Sequence, residues 1–435
     1  MMSNIYNIAV VFLQPKSSCK QENIAIYCDA HCVPLLINSK KTKDNLQRLF
    51  LNKNRMTVPE IQQLVQRHKK EFKKYFSDDF YLTNLALQDF KKHELNALCL
   101  LSIEEPFELA KFLTTPIYHL EELLNNPPYK HFTIQKKRGG TRQIFAPENS
   151  LKGIQKRLNY FLQAYYLWLK PHHVHGFVIN PHYLGTSCNI VENAKVHVSK
   201  NFVLNIDLKD FFHSITANQV KDIFSSHFFN FSEPIAIALT LLTTYKGKLP
   251  IGAPTSPVLS NFICHELDDD LLRFSAENDL TFTRYADDLT FSSNFKISHD
   301  ITLDIINLIK KNFFEINSKK IHLKTQNRKQ IVTGLTVNQK VNVDKKLLKK
   351  IRAMLHDVSI NGIEKAAQRH FKLNKIDKRY SSQFMNRLEG YINFVGQVRG
   401  KGDTLVLKFK EEFKLIFEIE IHKESNKKLD ENNIK

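Results

Sequence analysis

Apolar positions along the chain change period several times, and each change predicts a different kind of element. Ile5–Leu13, Ile24–Tyr27 and Val33–Ile37 are short, largely apolar runs of strand length, with Pro15 and Ser17-Ser18 breaking between the first two. From Lys41 to about Phe90 the spacing turns helical. Val58, Ile61, Leu64, His68 and Phe72 recur every three or four residues, while Arg67, Lys69, Lys70, Lys73 and Lys74 crowd the opposite face. Between 96 and about 340 strands and helices alternate. His131–Gln135 and Gln143–Ala146 flank the basic turn Lys136-Lys137-Arg138-Gly139-Gly140-Thr141-Arg142, which reads as a hairpin with a cationic tip. Ile154–Leu169 has a helical period, and Phe202–Ile206 is a tight apolar strand ending at Asp207. Beyond 341 basic helices return, as in Lys345–Val358 with its stripe Leu347, Leu348, Ile351 and Leu355. His422–Lys435 is polar and reads as a disordered tail. The mixture predicts an α+β protein without internal repeats.

Charge narrows the partner but not the chemistry. The 435 residues carry 63 Lys+Arg against 44 Asp+Glu, a formal net charge of +19, which points to a polyanion such as nucleic acid. No apolar run is long enough to span a bilayer, and the start lacks the basic n-region of a signal peptide, so a cytoplasmic protein is expected. Cys19, Cys28, Cys32, Cys99, Cys188 and Cys264 form no disulfide framework. Cys28-Asp29-Ala30-His31-Cys32 lacks the second ligand pair that zinc requires, and ordinary thiols are expected there.

The chemistry lies in the carboxylates. Thr283-Arg284-Tyr285-Ala286-Asp287-Asp288-Leu289-Thr290-Phe291 sets two adjacent acids between β-prone runs, as in a hairpin with acids at its turn. Neighbouring carboxylates raise each other's cost of ionisation, which an exposed turn or a divalent cation relieves. Asp207 closes a second strand, followed by Asp210 and the pair Phe211-Phe212. Two strands each ending in a carboxylate can hold two Mg²⁺ close together for nucleotidyl transfer, and all-oxygen ligands suit Mg²⁺ better than zinc.

Tyr285-Ala286-Asp287-Asp288 resembles the YxDD turn of reverse transcriptases, and Asp207 stands where their first catalytic aspartate stands. Gly252-Ala253-Pro254-Thr255-Ser256-Pro257-Val258-Leu259-Ser260-Asn261-Phe262 is similar to the block preceding that turn, and Asn317-Ser318-Lys319-Lys320 to a later N-x-x-K element. Asn193-Ala194-Lys195-Val196-His197 and Val332-Thr333-Gly334 resemble the NAxxH and VTG signatures of bacterial retron reverse transcriptases. The resemblance spans about 100–400.

It implies a right-hand polymerase: fingers and palm over 96–340, a helical RNA-binding thumb over 341–420, a tail over 421–435, and an N-terminal extension, 1–95, to which it assigns no role. Asp207, Asp287 and Asp288 would be catalytic and hold two Mg²⁺, with the Leu208 carbonyl a further ligand. Lys136, Arg142, Asp210, Phe211, Phe212, Ile251, Gly252 and Lys320 would surround the nucleotide. Lys136 and Arg142 would clamp phosphates, Phe212 would exclude a ribose 2′-hydroxyl, and Lys320 would serve the pyrophosphate, with Lys319 an alternative. Asn193, His197, Lys345, Lys349 and Arg352 would meet RNA, although His197 equally suits a packed position near the palm. His172-His173-Val174-His175 reads as a structural block rather than a metal site. The implied partners are a structured non-coding RNA, the DNA product, dNTPs and an effector protein in antiphage defence. Ile251 departs from the usual Leu-Pro-Gln-Gly, which leaves open a neighbouring, non-retron defence enzyme. A non-catalytic RNA-binding scaffold is the contrasting class.

Overall fold

The computed structural model describes residues 25–26, 35–36, 56–74, 90–136, 139–179, 188–377, 379–416 and 418. Contacts group Met1–Thr57 and Val58–Lys435 into two separate units. In the first, β1 (Ala25–Ile26) and β2 (Leu35–Leu36) pair antiparallel, within two of the expected strand runs. The third run, Ile5–Leu13, the Cys28–Cys32 cluster and the tail from His422 lie outside the described residues.

The second unit begins with α1 (Val58–Lys74), α2 (Lys92–Leu101), α3 (Pro106–Phe112) and α4 (Ile117–Asn125). The hairpin β3 (Tyr129–Gln135) and β4 (Thr141–Pro147) leads into the long α5 (Asn149–Leu169). Then come α6 (Ile190–Lys195), β5 (Phe202–Asp207), α7 (Phe211–Ser214), α8 (Ala217–Ser225), α9 (Glu233–Thr243), α10 (Ser256–Ile263) and α11 (His265–Glu277). The chain continues through β6 (Thr281–Tyr285), β7 (Asp288–Ser293), α12 (His299–Lys311), a 3-10 turn (Ser318–Lys320) and β8 (His322–Thr325). Then come the two-residue strands β9 (Ile331–Val332) and β10 (Leu335–Thr336), α13 (Lys345–Phe371) and α14 (Arg379–Arg399), and residues 404–416 are helical as well.

The periodicity of α1 is borne out: Ile61 and Val65 are buried while Arg67 and Lys70 face solvent. This helix packs on α2, and Gln62 donates to the Phe228 carbonyl at 3.0 Å. It therefore packs with the residues that follow it.

Four strands in the order β6-β7-β5-β8, all antiparallel, form the central sheet. Val203, Leu204, Ile206, Leu289 and Phe291 are buried in it, and α11 packs against β6. Burying such β-branched and aromatic side chains fixes register, because a one-residue slip would turn each of them to the other face. That register sets Asp207 opposite Asp288 at one end of the sheet.

A separate core joins α6, the β9–β10 hairpin, α13 and α14 through Val191, Val332, Leu335, Ile351, Leu355, Leu388 and Ile392. Leu348, Ile351 and Leu355 of the expected stripe are buried, and Leu347 is half-buried. Gly362 breaks α13 with φ 76°, a left-handed value that glycine adopts without side-chain clash.

Candidate active site

β6 and β7 are joined through the pair Tyr285↔Asp288, so Ala286 and Asp287 form the two-residue turn. Ala286 holds φ 59°, a conformation that costs a non-glycine residue about 1–3 kcal/mol and persists only where surrounding contacts enforce it. The Leu208 amide donates to the Asp287 carbonyl at 3.0 Å, and the Asn317 amide to the Asp207 carbonyl at 2.9 Å. These bonds tie the turn to the end of β5, and the end of β5 to the N-x-x-K segment. Asp207 and Asp287 are half-buried, whereas Asp288 keeps an open face to solvent.

Burial first, then neighbouring carboxylates, opposes ionisation of Asp287 and Asp288. Asp287 is raised above the ordinary carboxylate range by burial and Asp207, with Lys320 and Arg142 acting the other way. Asp288 is pushed up to about 6 by burial, Asp287 and Asp207. Lys320 Nζ donates to both carboxylate oxygens of Asp207 at 2.8 Å. The three carboxylates oppose one another's ionisation, and Lys320 offsets this only in part; their oxygens are of the donor type that divalent cations prefer.

The other expected nucleotide residues differ in exposure and in what they touch. Arg142, at the start of β4, is exposed yet close enough to influence Asp287. Lys136 is exposed at the other end of the hairpin turn, its amide bonded to the Gly140 carbonyl at 2.9 Å. Asp210 precedes α7 with φ 45° and is exposed. Phe212 is half-buried, its ring 5.7 Å from Phe177 and 5.4 Å from Phe211. Phe211 is buried beneath it and stacks on Phe314, so it supports Phe212 instead of facing a ligand. Ile251 accepts from the Phe145 amide at 2.8 Å through its carbonyl. Gly252 has φ 118°, and a Cβ there would sit 3.0 Å from Ile144 Cγ2 and 3.1 Å from the Phe145 carbonyl oxygen. The block before α10 is thereby fastened to β4 by backbone atoms.

Two expected RNA contacts are corrected. Asn193 and His197 are 1% and 0% exposed, so neither side chain can reach an RNA. His197 instead bonds Ser292 Oγ through Nδ1 and Thr283 Oγ1 through Nε2, both at 2.7 Å, joining the end of α6 to the sheet. Its packed alternative is the one realised. The VTG block forms the β9–β10 turn, with Thr333 at φ 47° and Gly334 at φ 82°. Thr333 Oγ1 donates to the Ile190 carbonyl at 3.0 Å, which brings the two signature blocks together. Lys345, Lys349 and Arg352 are exposed on α13, with Arg352 also 5.9 Å from the Phe409 ring. His173 and His175 are buried beside β6. Among the described residues no three His, Cys, Asp or Glu side chains, the aspartates of the turn included, are drawn together as a finished metal site.

Sequence reasoning missed the buried polar cluster of Arg284, Asp268 and Asn261 behind the turn. The signal was available in Arg284, a charge at the centre of a strand with no exposed face.

Comparison with known proteins bears on the whole assembly. The family described as reverse transcriptase (RNA-dependent DNA polymerase) matches residues 134–372. The chain is similar to the Retron Ec86 reverse transcriptase of Escherichia coli, 34% identical over 236 residues that cover 53% of this chain and 70% of that one. It is likewise similar to the Retron Ec73 reverse transcriptase of Escherichia coli, 34% identical over 235 residues, covering 50% and 71%. The Retron Mx65 reverse transcriptase of Myxococcus xanthus is 32% identical over 252 residues, covering 52% and 55%. The family match takes in both strand ends that carry the carboxylates, and the relatives that resemble the chain at 34% identity are retron enzymes: the chain belongs to the reverse transcriptases, in their retron-type branch.

Proposed function

We propose that this protein is an RNA-directed DNA polymerase that copies part of a dedicated structured non-coding RNA into DNA, primed from a 2′-hydroxyl of that RNA, in antiphage defence. The convergence of Asp207, Asp287 and Asp288 at one end of the sheet, with Arg142 and Lys320 beside them, carries the reading. Asp207, Asp287 and Asp288, with the Leu208 carbonyl, would hold two Mg²⁺. Bound there, the metal would acidify the attacking hydroxyl and neutralise charge on the departing pyrophosphate.

The remaining steps belong to the chain's own residues. Arg142 and Lys136 grip the triphosphate as oriented cations in the manner of phosphoryl-transfer sites. Lys320 gives up Asp207 and serves the pyrophosphate, either by its charge or by a proton from Nζ. Phe212, held by Phe211 and Phe177, leaves no room for a ribose hydroxyl and so selects deoxynucleotides by exclusion. The exposed cations of α13 form the thumb face that holds RNA through its phosphates. Retron-type priming and the defence role, with an effector protein, rest on the resemblance to retron enzymes.

Ile251 favours a second reading, a defence polymerase with unusual templating or priming, because it lacks the amide that glutamine would offer to a nucleotide. One experiment addresses both. Protein purified with its co-expressed RNA incorporates dNTPs with Mg²⁺, and Asp287→Asn/Asp288→Asn does not; equal incorporation by the two sinks the catalytic assignment. Sequencing the bound nucleic acid then separates branched RNA–DNA from unbranched or untemplated product.

A further inference from the structure

Among the described residues Arg284 carries the largest fully buried side chain, and it lies two residues before the Ala286–Asp287 turn. Its Nε donates to Asp268 Oδ1 at 2.7 Å and its Nη2 to Asp268 Oδ2 at 2.6 Å, a two-pronged ion pair with both side chains at most 2% exposed. Nη1 donates to Asn261 Oδ1 at 2.9 Å and to the Ala286 carbonyl at 3.3 Å. Asn261 Nδ2 in turn donates to the Gly176 carbonyl at 3.0 Å. One guanidinium thus joins α11, α10, the segment 173–176 and the turn itself.

The backbone completes the brace. The Arg284 amide donates to His173 and its carbonyl accepts from the His175 amide, at 2.9 and 3.0 Å, so 173–175 runs alongside β6. Gly176 follows at such close range that a Cβ would lie 2.3 Å from the Ala286 amide nitrogen. Ala286, with its positive φ, is pressed from below by Gly176 and held through its carbonyl by Arg284.

Packing alone does not explain a guanidinium here. Desolvating two charges costs several kcal/mol each, about what their attraction returns, and an apolar pair of similar volume would fill the space as well. An apolar pair would not supply directed hydrogen bonds to the turn. We propose that Arg284, locked by Asp268 and Asn261, is a positioning residue that fixes the Ala286–Asp287 turn, and with it the placement of the Asp287 and Asp288 carboxylates for divalent metal. This rests on the polymerase reading above.

The test uses the full chain, a poly(rA) template with an oligo(dT) primer, dTTP and Mg²⁺, and separately calorimetric binding of Mn²⁺ without nucleotide. Arg284→Met/Asp268→Leu replaces the pair by apolar groups, and Asn261→Ala keeps the pair but removes its tie to Gly176. For the double variant the expected result is a near-wild-type melting temperature, unchanged KM for dTTP, kcat lower by on the order of 100-fold and Mn²⁺ affinity lower by about tenfold, since small misplacements of reacting groups cost that much. Asn261→Ala is expected to move kcat and Mn²⁺ affinity in the same direction, by about tenfold in kcat. Wild-type Mn²⁺ affinity in a folded variant, whatever its rate, overturns the positioning role. If the double variant does not fold, Asn261→Ala decides alone by the same criterion. A silent wild-type enzyme instead overturns the polymerase reading, and this inference with it.

Discussion

The two sides of Ala286 invite comparison. On one side Asp207, Asp287 and Asp288 converge with more negative charge than their surroundings neutralise, and burial with mutual repulsion lifts Asp288 to about 6. On the other, Arg284 and Asp268 are fully paired and shut away from water. Burial would lower the arginine, but Asp268 outweighs it and holds the guanidinium charged. A site that must receive cations keeps an unsatisfied charge; the base that holds it satisfies every charge. Unmet electrostatics on one face needs a rigid support on the other, because a loose turn would relax its carboxylates apart.

The largest expected effect breaks the open side. Asp287→Asn/Asp288→Asn removes two of the carboxylates proposed to hold metal, and incorporation is expected to fall by about 1,000-fold or more, of the size seen when charge stabilisation is lost from an active site. Stability moves the other way. Because the folded state raises both carboxylates, ionising them opposes folding at neutral pH. The amides therefore raise the metal-free melting temperature at about pH 7.5, by a small amount because Asp288 is open to screening water. Thermal scans with and without Mg²⁺ check this: Mg²⁺ should stabilise the wild type and leave the variant unmoved.

Breaking the closed side should instead unfold the protein. Arg284→Ala strands Asp268 without a partner and costs about 3–5 kcal/mol, measured by urea denaturation. A loss below about 1 kcal/mol would mean that water reaches Asp268, and the contrast between the two sides would collapse.

The legibility of the two sides also differed. Adjacent acids between β-prone runs, and an acid closing an apolar strand, announced a site because carboxylates are costly there unless used. The hairpin from Tyr129 to Pro147 and the helix over 149–169 likewise followed from turn residues and period. Arg284 was visible as a residue but not as a cluster, since Asp268 and Asn261 stand 16 and 23 positions away on other elements. Periodicity reports which face is apolar and says nothing about which polar groups meet inside. His197 failed for the same reason: a histidine in a signature block can face a ligand or a core, and only the Ser292 and Thr283 hydroxyls decide.

A pH titration sharpens the comparison. Burial holds His173, His175 and His197 down to about 4, 3 and 3, from an ordinary 6.5. The unfolded chain takes up their protons first, so their contribution to stability is complete above pH 6.5 and is lost as pH falls toward 4. Asp288 works in the opposite sense: raised from 3.8 to about 6, it favours folding at low pH and loses that contribution as pH rises through 6. The wild-type slope between pH 4 and 6 is thus a partial cancellation. In Asp287→Asn/Asp288→Asn the opposing carboxylates are gone, and denaturation midpoints should fall more steeply with acid; His93, His213 and His370, also lowered by burial, add to that slope. Parallel slopes for the two proteins would show that these carboxylates are not raised.

The smallest effect concerns Ile251, where backbone and side chain separate cleanly. Its carbonyl receives the Phe145 amide, and the close approach of Gly252 to Ile144 and Phe145 needs no side chain at 251. Restoring glutamine should therefore leave the urea midpoint within about 0.5 kcal/mol, as expected for a half-exposed position outside the core. What glutamine adds is a donor and acceptor beside the insertion site, and one hydrogen bond gained by a matched nucleotide changes discrimination by about 2–10-fold. Misincorporation by Ile251→Gln on poly(rA) should fall by that factor while the overall rate holds. Unchanged nucleotide preference would mean that this block acts through its backbone alone, a clamp on β4 whose side chain the polymerase can vary freely.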